Sequence, residues 1–335
     1  MIEPLVVEVL RAGRIESRHH VSVCAIDAEG RRLLSAGDTE QVVFPRSSIK
    51  MIQALPLVET GAADAYDLSP AELALACASH SGEPRHVERV RNWLLRLGVT
   101  PDDLACGAHR PLDRTSADAE TAAGHCPGRE HNNCSGKHAG MLTTALHMGE
   151  PIAGYVGVGH PVQARIAAAL CDLAGLDGLP APGIDGCSAP NWPVPLRALA
   201  LALARFGAPD DLGSERAAAC RRLAAAMSAH PELVAGRDRA CTRILRAARH
   251  LVVKTGAEGV YVAAWPERAV GVALKVEDGA GRAAEVAILA ALDALGALDA
   301  RAQRELEPLR HPVLRNFAGD EIGAIRPALG WPRAA

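Results

Sequence analysis

Leu251-Val252-Val253-Lys254-Thr255-Gly256 opens the last third of the chain, and Gly259 to Ala264 and Val270 to Val276 follow it after tight links. Apolar runs this short, bounded by Gly, Pro and charge, predict three strands. A long apolar helix is predicted behind them, from about Ala283 to Leu295. Near the other end, Val21 to Ile26 and Arg32 to Leu34 flank Asp27-Ala28-Glu29-Gly30, a turn signal, and read as a hairpin. Helical patterns fill the middle. Ile49, Ile52, Leu55 and Val58 share related faces, with Gly61 as a stop. Ser69-Pro70-Ala71-Glu72 is a capping box opening a helix that ends near Cys77, and Val87, Val90, Leu94 and Leu97 mark another. Further helices are predicted at 138–148, 161–174, 195–206, 214–228 and 239–249. Residues 102–136 and 175–194 read as loops, the first long enough to suggest a function. Strands, a helical insert, strands and a closing helix predict an α+β fold. One antiparallel sheet would come from about 1–45 and 250–335, with the helical part at about 46–249. The whole of 1–335 would form a single catalytic unit, its cleft between the sheet edge and the helical part.

The composition bounds what such a molecule does. Hydrophobic residues are 49% and charged residues 22%, as in folded soluble proteins, while aromatics at 3% leave the core to Ala, Leu and Val. A net charge of −3 offers no footprint for nucleic acid or an anionic membrane. No apolar run reaches the roughly 20 residues of a membrane span. Met1-Ile2-Glu3-Pro4 lacks a basic, then apolar, secretory pattern, and the nine cysteines have no disulfide rhythm, so a cytoplasmic location is expected. Only four of the 36 basic residues are Lys: Lys50, Lys137, Lys254 and Lys275. Arg keeps its proton in proteins, whereas Lys can serve as a base or a ligand. A lysine kept against that bias marks a candidate site.

Three of the four stand in chemical contexts. Ser47-Ser48-Ile49-Lys50 places a hydroxyl and an amine three residues apart at a predicted helix start, about 5–6 Å between Cβ atoms, where the pair can act as an acyl-transfer nucleophile. A capping serine beside a solvated lysine has the same spacing. Lys254-Thr255-Gly256 ends a strand where Gly admits a close approach of substrate. Ser-x-x-Lys followed by Lys-Thr-Gly is the motif pair of penicillin-binding proteins and class A β-lactamases. Cys77-Ala78-Ser79-His80-Ser81-Gly82 presents Ser79 and His80 at a bend between helices. Asn132-Asn133-Cys134-Ser135-Gly136-Lys137-His138 and Asp185-Gly186-Cys187 put two thiols and a carboxylate on loops. These are zinc donors, although two buried reduced cysteines would leave the same trace.

In this order the segments resemble the rhizobial-type, class 3, thermolabile L-asparaginases, with Arg46-Ser47, His230-Pro231-Glu232 and Val276-Glu277-Asp278-Gly279 extending the likeness over nearly the whole chain. The 110–131 segment is shorter than the family pattern. The resemblance implies a β-lactamase, penicillin-binding-protein and glutaminase-like fold and the hydrolysis of L-asparagine to L-aspartate and ammonia. It implies Ser47 as nucleophile with Lys50 as base, Ser79 with Lys254 as a second Ser–Lys pair, and Arg46 and His138 near the substrate. It also implies a Zn²⁺ site on Cys134, Lys137, Asp185 and Cys187, orienting the substrate's α-amino or carboxylate end, and a homodimer. Two other readings share these residues: another acyl-serine amidase of the same fold, such as a glutaminase, and a non-catalytic zinc-binding relative.

Overall fold

The computed structural model describes residues 3–331, so the outermost ends of the two expected sheet segments lie outside the described residues. Eight strands form one antiparallel sheet: β1 (Leu5–Arg11), β2 (Arg14–Asp27), β3 (Arg32–Ala36), β4 (Val252–Thr255), β5 (Val260–Trp265), β6 (Val270–Val276), β7 (Val313–Arg315) and β8 (Glu321–Pro327). Their order across the sheet is β7-β8-β1-β2-β6-β5-β4, with β3 also on β2. The 14-residue β2 is the spine. Its first half pairs with β1 (Val7 opposite His19), and its second half pairs with β3 and β6 (Cys24 opposite Ser35 and Ala273).

The expected hairpin, the three later strands and the α+β layering are all present. Three N-terminal strands take part, and the sheet is larger than expected because β7 and β8 join it. Every residue of β6 except Lys275 is buried. Successive side chains point to opposite faces, so both faces of this strand are covered. The helices Leu196–Gly207 and Gly281–Ala294 pack on it. Contact with the first is so close that a Cβ on Gly271 would overlap the Ala200 carbonyl oxygen and the Ala204 amide nitrogen. Neither backbone can yield cheaply, so Gly271→Ala is expected to lower stability by about 3 kcal/mol, read as a shift of the denaturant midpoint.

The helical insert runs from the 3₁₀ turn Arg46–Ile49 to the helix Ala240–Ala247. Its capping box at Ser69 and Glu72 is formed, with the Ser69 amide donating to Glu72 at 2.8 Å. Two expectations change. The single helix after Pro45 is broken into the 3₁₀ turn and two short helices, Lys50–Gln53 and Leu55–Glu59. Within the expected 102–136 loop lies a helix, Arg114–Ala122. Only Ala117 of that helix is buried, so it carries no apolar period. No helix among the described residues is long and apolar enough to cross a membrane. All nine cysteines are free thiols.

Candidate active site

β4 is the edge strand of the sheet, and its end meets the insert at the turn carrying Ser47. Gly256 makes this possible: a Cβ there would stand 2.7 Å from the Pro45 carbonyl oxygen. The glycine of Lys254-Thr255-Gly256 therefore admits the Ser47 turn itself, where sequence alone suggested substrate. Arg46 opens the turn with φ of 55°, a left-handed conformation rare and strained for a side-chain-bearing residue. Of the two adjacent serines, Ser48 is buried and donates to Pro45 O at 2.7 Å, which braces the turn. The Ser47 hydroxyl has no hydrogen bond among the described residues and lines a cavity of about 310 Å³. Ser79, Asn133, Arg239, Gly256 and Glu285 line the same cavity. The cleft thus lies where expected, between the sheet edge and the helical part.

Ser79 and Lys254 form a Ser–Lys pair in direct contact, with Lys254 Nζ 2.9 Å from Ser79 Oγ and 2.9 Å from Thr255 O. Lys254 is wholly buried, and burial lowers its pKa to about 7, assisted by the charges of Lys50 and Arg239. A lysine at that value alternates between base and acid near neutral pH.

Lys50 stands differently from expectation. It makes no hydrogen bond to Ser47 among the described residues. Its amine donates to Ala78 O at 2.6 Å, to Cys134 Sγ at 3.1 Å and to Asn133 O at 3.4 Å. All three donors of an ammonium are then engaged. The expected geometry assumed a continuous α-helix, whereas Ser47 lies in the 3₁₀ turn, Lys50 begins the next helix, and Ile49 between them departs from helical dihedrals. Lys50 ties together the residue before Ser79 and the loop before Lys137.

The thiol segments do converge. Burial opposes the Lys137 ammonium, but Cys187, whose Sγ lies 3.2 Å away, and Cys134 outweigh it and raise its pKa. The Cys187 thiol hydrogen-bonds Cys134 and, with burial opposed and Lys50 and Lys137 assisting, holds Cys134 well below the ordinary thiol range. Cys187 moves up in return, through that hydrogen bond and its own burial. Asp185 faces another way. Arg46 donates to its Oδ1 from Nε at 2.9 Å and from Nη2 at 2.8 Å. Burial would raise the Asp185 pKa, but the hydrogen bonds that it accepts from Arg46 and from the Gly186 amide lower it. Among the described residues no three His, Cys, Asp or Glu side chains stand together as a metal group. Two thiols suited to Zn²⁺ do converge, and Lys137, held as an ammonium beside them, would join as a ligand only on losing its proton.

His138 is buried against the same cluster and not among the cavity-lining residues. Its Nδ1 lies 2.6 Å from Tyr155 Oη, and burial lowers its pKa to about 4. His80 is a packed histidine. Its Nδ1 accepts from the Gly82 amide at 3.2 Å, its Nε2 lies 2.8 Å from Ser135 Oγ, and burial holds its pKa well down.

A family model described as L-asparaginase II matches residues 7–327. The chain belongs to the L-asparaginase II family. No curated protein matches it significantly. Among solved structures, Mglu in its native form matches at 17% identity and a TM-score of 0.34, over 77% of this chain and 60% of the Mglu chain. A β-lactamase from Mycobacterium bovis matches at 13% identity and a TM-score of 0.35, over 81% of this chain and 94% of its own. A class C β-lactamase from Rhodobacter sphaeroides matches at 16% and 0.37, over 91% and 94%. The chain thus spans about 60% of the Mglu chain's length. The charged cavity residues that sequence reasoning missed, Arg239, Glu258 and Glu285, carry no motif. Arg239 is one arginine among many, placed just before the helix Ala240–Ala247, and Glu285 sits on an apolar helix.

Proposed function

We propose that this chain is an L-asparaginase, hydrolysing L-asparagine to L-aspartate and ammonia through an acyl intermediate on Ser47. The observation that carries the proposal is the buried Lys254–Ser79 hydrogen bond, reaching the cavity that Ser47 lines. Ser47 Oγ attacks the side-chain amide carbon while its proton passes by way of Ser79 Oγ to neutral Lys254. The C–N bond breaks, and ammonia leaves with the proton returned by the pair. Water then adds to the β-aspartyl ester, gives up its proton along the same route, and frees L-aspartate and the Ser47 hydroxyl. The Ser47 and Ala257 amides, unpaired in backbone hydrogen bonds among the described residues, are the proposed oxyanion donors. Lys50 is a positioning residue in this scheme, since its amine is engaged by Ala78, Asn133 and Cys134.

Zinc is proposed on Cys134, Lys137 and Cys187, with Asp185 joining once it leaves Arg46. When bound, it would supply a fixed Lewis-acid charge beside the Asn133 loop. Purified protein is expected to hold about one zinc per chain, most of it lost in Cys134→Ser or Cys187→Ser because the thiolates dominate such a site. Elemental analysis that finds equal zinc in all three proteins rules this ligand set out. A cytoplasmic homodimer, each chain one catalytic unit, completes the proposal on the strength of the resemblance, and light scattering tests the dimer.

The function itself is tested by ammonia release. Glutamine's extra methylene carries its amide carbon past a serine set for asparagine, and a misplacement of about 1 Å can cost ~100-fold in rate. L-Asparagine is therefore expected to exceed L-glutamine in kcat/KM by about 100-fold or more. Comparable values favour the general amidase reading, and no release from either amide favours the non-catalytic one.

A further inference from the structure

The cavity is lined by three charged side chains that the hydrolytic scheme leaves unused: Glu258, which is exposed at its rim, and the more buried Arg239 and Glu285. Arg239 is half-buried and has no carboxylate within ion-pair distance among the described residues. Its side chain makes one long contact, 3.5 Å from Nη1 to Ser81 Oγ. Glu285, on the helix Gly281–Ala294, is likewise half-buried, with no ion-pair or hydrogen-bond partner among the described residues. Burial raises its carboxyl pKa against the pull of Arg239 and Arg243. Most other partly buried acids here are paired, including Glu59 with Arg216, Glu150 with Arg165 and Asp185 with Arg46. An unmatched cation and an unmatched anion lining the cavity of Ser47 and Ser79 form a receptor for a zwitterion.

The carrier of Arg239 is rigid. The Arg237 amide donates to Glu83 Oε1 at 2.7 Å, and Ser81 Oγ donates to Ala235 O at 2.8 Å. The loop before Arg239 is thus fixed to the segment just after Ser79. Arg46, the arginine that the family resemblance points to, is engaged by Asp185. Cys134, Lys137 and Cys187 are buried and absent from the cavity lining.

We propose that Arg239 binds the α-carboxylate of the substrate and Glu285 its α-ammonium, making these two residues the determinants of amino-acid specificity. The inference rests on the asparaginase reading and moves the head group away from the thiol cluster. A guanidinium offers a bidentate fork to a carboxylate. An incoming ammonium supplies the partner that Glu285 lacks. With both ends held, the chain length between head group and amide is measured against Ser47.

Truncated substrates separate this from a structural role. β-Alaninamide keeps the amine and the amide but lacks the α-carboxylate, and succinamic acid lacks only the amine. In R239Q the kcat/KM ratio of L-asparagine to β-alaninamide is expected to collapse by about 100-fold, mainly through KM. In E285Q the ratio of L-asparagine to succinamic acid is expected to collapse similarly. Ratios equal to wild type, with all substrates lowered alike, overturn the proposal. If R239Q fails to fold by its thermal midpoint, R239K is judged by the same ratio, since Lys keeps the charge without the fork. Should wild type release no ammonia from L-asparagine, the asparaginase reading fails, and titration calorimetry with L-aspartate judges the clamp alone. Binding to wild type but not to R239Q then supports it, while equal binding or none overturns it.

Discussion

Ser47→Ala is expected to lower kcat for L-asparagine by about 10⁴-fold or more while leaving the unfolding transition nearly where it was. Losing the nucleophile of an acyl-transfer site removes the covalent path entirely, and in a comparable serine hydrolase the loss reaches about 10⁶-fold. The fold should tolerate the change because the brace of the turn is Ser48, whose hydroxyl donates to Pro45 O. Steady-state ammonia release alongside thermal unfolding checks both halves. A variant that keeps a tenth of its activity removes Ser47 from the chemistry, and one that unfolds makes the residue structural.

The second large effect is expected at Lys254. Arg there keeps the charge but cannot release a proton, so Lys254→Arg should cost about 10³-fold in kcat/KM. The wild-type pH profile follows from the same group. Burial lowers the amine to about 7, and only the neutral amine accepts a proton. Activity should therefore rise about tenfold per pH unit below 7 and level off above it. In Lys254→Arg that limb should vanish from what activity remains. A wild-type profile flat between pH 5.5 and 8.5 would show that Lys254 does not carry the proton.

The sequence makes some of this legible and hides the rest for identifiable reasons. The scarcity of lysine singles out Lys254, and the structure places it in contact with Ser79. The same cue finds Lys50 but not its partner. Spacing along an ideal helix points it at Ser47, whereas a 3₁₀ turn ends at Ile49, a new helix begins at Lys50, and the amine reaches Ala78, Asn133 and Cys134. Cys134, Lys137 and Cys187 lie together, while Asp185 pairs with Arg46, a contact that loop sequences cannot announce. Arg239 and Glu285 reach the cavity only through tertiary packing and are single ordinary charges in the sequence. In the fold, β6 is readable because nearly all its residues are buried and apolar. β8, with Ile325 its one fully buried residue, and the polar helix Arg114–Ala122 offer no period to read.

The most direct test of the central claim is to locate the attacking oxygen. A diazoketone analogue of L-asparagine, with its electrophilic carbon at the place of the amide carbon, alkylates the attacking hydroxyl irreversibly, and peptide mapping by mass spectrometry identifies the labelled residue. One label per chain on Ser47, prevented by L-aspartate and absent from Ser47→Ala, is the predicted result. Label on Ser79, or no label on a serine in protein that hydrolyses L-asparagine, contradicts the account.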